Sequence, residues 1–437
     1  MSIKARLKSY APLVDDLLRY NMWSQGALSL VHWLLAVLTP AHRVAWLVRA
    51  CAAARCAPSN LWMEAIEAWM LRRLDALPRE ILWSWQPEEK AAVEVNKAAI
   101  LKLPSGGEKG VVFVSFESQW EKLLALGPKR LEAFAAEYEL VVAPTWSPPH
   151  SVTNLVFPRL FPGPLPCTIS NRLDLQIFPR LHSGYKPVEL FASSWVNSAL
   201  YQPRPRADRD IDLLMVANFG RYKRHHVLFA ALARIPREKR PQVVLVGQPH
   251  GERTAEVLLQ EMDDYGVREC ITLRSRISDA EVVDILCRSK VALITSLREG
   301  SCVAVVESMM ADTPLALLKG AHIGSSAFLN EQTGRWLDED ALHLQLPLFI
   351  AEAESFSPRS WLLAHGVECH ASTRVLSAHL HALASVSGAA WTCDLAEHHW
   401  RPDPVILDPD FRAKAGAEAQ RLHQTLGLKI PITGYEE

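Results

Sequence analysis

The spacing of apolar and polar positions divides the chain into two textures. Through about residue 105, apolar side chains recur every three or four positions, as in "LVDDLLRY" and "LWMEAIEAWMLRRLDAL", and predict helices, with Ser59-Asn60 as a candidate N-cap for the second. The glycines of "LPSGGEKG" end that pattern at Gly106, Gly107 and Gly110. Short β-branched runs then alternate with helical stretches. "VVFVSF" and "ELVVAP" read as strands around the helical "WEKLLALGPKRLEAFAAEY", and "PCTIS" and "VELFASS" follow. A Pro- and Arg-rich stretch, "YQPRPRADRD", reads as a linker. Beyond it comes a clearer series: strands "IDLLMVANF", "QVVLVG", "CITLRSRI", "VALITSLR" and "PLALLKG", with helices between them, one capped at Ser278 or Asp279. Near-continuous apolar strands imply a sheet covered on both faces. The expected fold class is α/β, with two Rossmann-like doubly wound parallel-sheet domains and an N-terminal helical extension. The expected boundaries are 1–105 for the extension, 106–205 and 206–390 for the two sheet domains, and 391–437 for a tail packing back on the N-terminal domain.

Composition adds exclusions. A net charge of -1 gives the whole chain no electrostatic match to nucleic acid. The eight cysteines form no C-x-x-C pair, which fits free thiols in a reducing, cytoplasmic setting. Cys369-His370 and Cys393 with His398-His399 match no metal-ligand spacing. The window Tyr20–His42 carries no formal charge and contains "ALSLVHWLLAVLT". It suits a core helix, a membrane-surface helix or a short span, so residues 20–50 are the expected place for any peripheral contact with the inner face of a membrane. Basic residues also gather before position 60.

Candidate chemistry centres on "LREGSCVAVVESMMADTP". Glu299-Gly300 falls at the carboxyl end of a strand, where doubly wound sheets bind ligands. A helix starting near Ser301 would offer unpaired N–H groups to a phosphate, with Glu307 roughly 9 Å further along. A carboxylate at that level suits a ribose diol, and one at the mouth suits sugar hydroxyls. The turn "ANFGRYKRHH" supplies Arg221, Lys223 and Arg224, fixed cations suited to a departing diphosphate.

The Glu-x7-Glu spacing, the basic turn, and the segments "ADTPLALLK", "IGSSAF" and "NEQTGRWL" resemble retaining glycosyltransferases of the GT-B fold, especially family GT4. The resemblance covers about Ile211 to Ser385, with "LFASSWVN" as the end of an acceptor domain. It implies that Glu307 binds ribose, Glu299 contacts the donor sugar and Lys223 clamps the diphosphate, with Arg221 assisting. Gly300, Ser301, Cys302, Asn218 and Arg224 would complete the donor site. It also implies no metal and no cofactor beyond the nucleotide-diphosphate sugar itself, with a glycan or lipid-linked acceptor. Asn218 stands where the family has arginine, and Cys302 where it has glycine. The acceptor-domain histidine has no clear counterpart; His150 and Asn171 are the candidates. The alternative reading is a nucleotide-sugar-binding protein without turnover, acting as a sensor or partner subunit. No G-x-G-x-x-G, Walker A, H-E-x-x-H or G-x-S-x-G is present.

Overall fold

The computed structural model describes residues 22–54, 60–400 and 403–432. The predicted helix in "LVDDLLRY" and the Ser59 cap lie outside them. The described residues form two compact units: 22–195 with 369–432, and Val196–Glu368.

The first unit opens with helices α1 (Met22–Leu38), α2 (Arg43–Ala54), α3 (Asn60–Asp75) and α4 (Arg79–Ser84). They bury Leu47, Ile66, Met70 and Leu74 in the same core as Val112 and Leu140 of the following sheet. Its five strands run in chain order: β1 (Ala98–Lys102), β2 (Gly110–Ser115), β3 (Tyr138–Ala143), β4 (Leu165–Cys167) and β5 (Tyr185–Pro187). β1 pairs antiparallel with β2, and the remaining pairs are parallel. Helices α5 (Gly127–Glu137), α6 (Val152–Leu160) and α7 (Asp174–Leu181) make the crossovers.

The helical texture therefore stops earlier than the pattern suggested. Ala98–Lys102 is a fully buried strand, although alanine, leucine and lysine are good helix formers. "VELFASS" is not a strand; the 3-10 turn Ala192–Trp195 overlaps its end.

The second unit holds six strands: β6 (Ile211–Val216), β7 (Val243–Gly247), β8 (Ile271–Ser275), β9 (Ser289–Ile294), β10 (Leu315–Leu318) and β11 (Gly334–Leu337). Their order is β11-β10-β9-β6-β7-β8, all parallel. Helices α8 (His225–Ala233), α9 (Ala255–Tyr265), α10 (Asp279–Arg288), α11 (Val303–Met310), α12 (Leu342–Ala351) and α13 (Pro358–Ala364) connect and cover them. Ser278 caps α10 in a reciprocal box with Glu281. β11 is a strand beyond those expected, a short edge with two exposed residues. The order reverses between β6 and β9, so the loops leaving these two strands diverge and open a crevice.

The chain then returns to the first unit. In α14 (Cys369–Ser387), Leu376 and Leu380 are buried with Phe113 of β2 and Val141 of β3. That burial places the unit boundary at 368/369, before the 390/391 read from the sequence. A hairpin, β12 (His398–Trp400) with β13 (Pro404–Ile406), and α15 (Pro409–Leu426) complete the fold.

Candidate functional site

At the switch point the β6 loop folds over the β9 loop. Asn218 Oδ1 accepts the Gly220 N–H at 2.9 Å and its Nδ2 donates to Tyr222 Oη at 2.7 Å, which tightens the turn. The turn Arg221–Lys223 follows, and Arg224 sits in the left-handed region at φ 54°. Thr295 Oγ1, just past β9, donates to the Lys223 carbonyl at 2.6 Å and pins the turn from the other side.

That geometry aims Lys223 at Glu299. Nζ lies 2.6 Å from Oε2, with the side chains only 13% and 9% exposed. Burial works against the lysine's charge, but the Glu299 carboxylate and its hydrogen bond hold the pKa above the ordinary lysine value. Glu299 Oε1 is buried with no hydrogen-bond partner. The Cys302 thiol is pushed well above the usual thiol range, first by burial and then by the Glu299 charge, so it stays neutral.

The helix after Glu299 begins at Val303, two residues later than expected, because Cys302 takes a positive φ of 57°. Glu307 is therefore its fifth residue, about 6 Å along the axis. It is half-buried and accepts the Tyr201 hydroxyl at 3.3 Å. The loop after β10 braces the glutamate loop: Gly324 N–H donates to the Gly300 carbonyl at 2.6 Å and Ser325 N–H to the Ser301 carbonyl at 3.0 Å.

Lys223, Glu299, Gly300, Ser301, Cys302 and Glu307 thus gather at one crevice, with exposed Arg221 on the basic turn beside it. Two expected donor residues are committed elsewhere. The Arg224 guanidinium is buried and bidentate to Glu339 at 2.9 and 2.8 Å. Asn218 is spent on the turn. Tyr222, Tyr201 and Thr295 were not singled out from the sequence. Tyr222 carried a readable signal, four positions after an asparagine in a turn; Tyr201 and Thr295 reach the site only through the fold.

The acceptor-side candidates lie in the first unit and serve its framework. His150 is buried, with Nε2 2.7 Å from Glu67 Oε2 of α3, and Arg180 reaches the same carboxylate at 3.1 Å. Asn171 Oδ1 accepts the Leu173 N–H at 3.1 Å in the turn that opens α7. At the carboxyl ends of β2 and β3, Glu117 instead accepts both the Thr145 N–H at 3.2 Å and its hydroxyl at 2.5 Å.

Residues 199–346 match the family model described as "Glycosyl transferases group 1". The matched span lies within the Val196–Glu368 unit. The crevice between β6 and β9, with its lysine and two glutamates, lies inside the matched residues. Among solved structures, sucrose-phosphate synthase from Thermosynechococcus elongatus aligns over 64% of this chain and 74% of its own, at 16% identity and a TM-score of 0.50. At that identity the likeness shows the fold alone, GT-B with two Rossmann-like domains. The pneumococcal O-GlcNAc transferase GtfA, in complex with UDP and GlcNAc, aligns over 59% of this chain at 15% identity and a TM-score of 0.44. This chain spans about half of that protein's length, 54%. Anabaena HepE, in complex with UDP, aligns over 61% of this chain and 77% of its own, at 16% identity and a TM-score of 0.45. No curated protein sequence matches the chain.

Proposed function

We propose that the chain is a retaining glycosyltransferase that moves a sugar from a nucleotide-diphosphate donor to a glycan or lipid-linked acceptor, without a metal ion. The observation that carries this reading is the Lys223–Glu299 pair at the switch point, inside the residues that match the group 1 model. Before the donor arrives, the lysine is neutralised by the carboxylate. A diphosphate entering at the start of α11 takes over the lysine and frees Glu299 to accept sugar hydroxyls, where Oε1 already lacks a donor. Glu307, about 6 Å along the helix, accepts the ribose diol. As the bond between the sugar's anomeric carbon and the diphosphate breaks, the electron pair leaves on the diphosphate oxygen. Lys223, Arg221 and the helix N–H groups stabilise that growing charge. The acceptor oxygen bonds to the anomeric carbon on the same face, and its proton departs with the diphosphate. A cytoplasmic location belongs to the same proposal.

The test is release of sugar from UDP-, GDP- and ADP-sugars in EDTA, with wild type, Lys223→Ala and Glu299→Ala. Slow hydrolysis of one donor by wild type alone supports the proposal. A second reading, binding without turnover, is favoured by the commitment of Arg224 to Glu339, which removes one cation from the donor side. Nucleotide-dependent stabilisation with no hydrolysis of any donor would select it.

A further inference from the structure

Helix α1 has an unusual surface. From Trp23 to Leu38 it contains no charged residue, and every exposed position is apolar. Trp23, Leu30, Val31, Leu34, Val37 and Leu38 face outward, with Trp23 76% and Leu38 74% exposed. Two polar residues, Gln25 and Ser29, lie on the other side. Gln25 is buried, and buried Ser29 donates to the Ala50 carbonyl of α2 at 2.8 Å. A contiguous apolar face of this kind marks an interaction surface rather than chance exposure.

The surroundings say what covers it. The first sixty residues hold seven lysines and arginines against two aspartates, whereas the whole chain is at -1. Half of the fourteen tryptophans lie before residue 86, and arginines stack on two of them. Arg49 lies 4.7 Å over Trp46, while Arg43 and Arg73 lie 5.9 Å over Trp69. Tryptophan and arginine beside an uncharged apolar helix suit the boundary between lipid headgroups and acyl chains. A second copy of the chain would bring the same positive charge against itself. No described helix is long and apolar enough to cross a membrane, and α1 spans about 25 Å.

We propose that the outer face of α1 lies in the surface of an anionic phospholipid bilayer, parallel to its plane, with Arg43 and Arg49 of α2 on the headgroups. The helical layer and the carboxyl edge of the first sheet form one body, because Glu67 of α3 holds His150 after β3 and Arg180 of α7. Membrane contact therefore positions that edge at the headgroup level. The contact itself does not depend on the transferase reading; a lipid-linked acceptor there does.

The experiment is co-sedimentation of the full chain with vesicles of phosphatidylcholine plus phosphatidylglycerol, and of phosphatidylcholine alone, with no nucleotide. Wild type binds the anionic vesicles and releases in high salt. Val31→Glu/Leu34→Glu binds at least about tenfold more weakly, since it places two charges at hydrocarbon depth. Both positions are exposed, so melting temperature and donor hydrolysis without vesicles stay at the wild-type level. Failure of hydrolysis alone thus counts against the transferase, and failure of sedimentation alone against the membrane contact. Equal binding by the double variant overturns the proposal, and so does wild-type binding to neither vesicle. A dimer in solution that the variant breaks, without vesicle binding, assigns the face to a second copy. If only a chain beginning at Met22 binds vesicles, the first twenty-one residues are the occupant instead; either result overturns it.

Discussion

Replacing Lys223 with methionine tests the central pair most directly. The substitution keeps the side-chain volume and removes the charge, leaving Glu299 with 9% exposure and neither oxygen in an ion pair. Breaking a buried pair from one side costs about 3–5 kcal/mol, because the remaining charge is uncompensated. Lys223 retains 13% exposure, and water can reach the gap, so the lower end, about 3 kcal/mol, is expected. For a domain of roughly 170 residues, each kcal/mol moves the melting temperature by about 2–4 °C. The transition of the Val196–Glu368 unit should therefore fall by about 6–12 °C. Lys223→Met/Glu299→Gln removes both charges and should recover at least half of that loss. The assay is calorimetry at neutral pH on wild type, both single variants and the double variant, which gives the coupling energy. A fall below about 2 °C for Lys223→Met, or strictly additive effects in the cycle, would falsify the claim that the two side chains neutralise each other across the crevice.

Other outcomes follow from the same structure. Glu307→Ala should weaken nucleotide-diphosphate binding by about ten- to a hundredfold in titration calorimetry, the loss of one or two hydrogen bonds to a charged acceptor, and Tyr201→Phe should have a smaller effect. His225 and His398 are fully buried, and burial, reinforced by Arg253 and Lys223 around His225 and by His399 beside His398, lowers each pKa to about 3. Below pH 6.5 the unfolded chain takes up protons that the folded one refuses. Stability is thus complete above that pH and falls as pH drops toward 3, by about 2 kcal/mol per histidine at pH 5. His398→Phe, between Phe113 and Trp195, should reduce the acid loss of the first unit's transition and leave the second unit's unchanged. Gly247→Ala would set a Cβ 2.0 Å from the Ala217 carbonyl and 2.9 Å from the Phe219 ring, so it should disturb the basic turn and reduce nucleotide-induced stabilisation more than the charge-conserving Lys223→Arg does.

Much of the second sheet was legible because its strands are unbroken apolar runs between polar loops, and only a strand buried on both faces needs that pattern. The short edge β11, with Arg335 and Trp336 exposed, carries no such run. β1 was hidden differently. Its lysine is buried against Glu108 at 2.7 Å and lies 3.8 Å from the Trp391 ring, partners that only tertiary structure supplies. In the site, Glu299 and Lys223 could be named from their motifs, but not their pairing, which joins positions 76 residues apart. Nor could the sequence reveal that Arg224 turns to Glu339, because three cations in four positions look alike until the left-handed residue aims one inward. His150 drew notice as a histidine after a strand; its burial against Glu67 depends on a helix from a segment that resembled nothing in the family.

The return of the chain at Cys369 has a consequence for synthesis. The Val196–Glu368 unit is continuous, and its two ends are tied locally, with Arg359 donating to the Ser198 carbonyl at 3.1 Å and Arg206 to the Phe356 carbonyl at 2.7 Å. It can close as soon as residue 368 has left the ribosome. The domain begun earlier must wait, because Leu376, Leu380 and the strand Leu428–Lys429, which pairs with Val93–Glu94, are made last. The part translated second is therefore expected to mature first, while the earlier part carries exposed apolar surface until the final helix emerges.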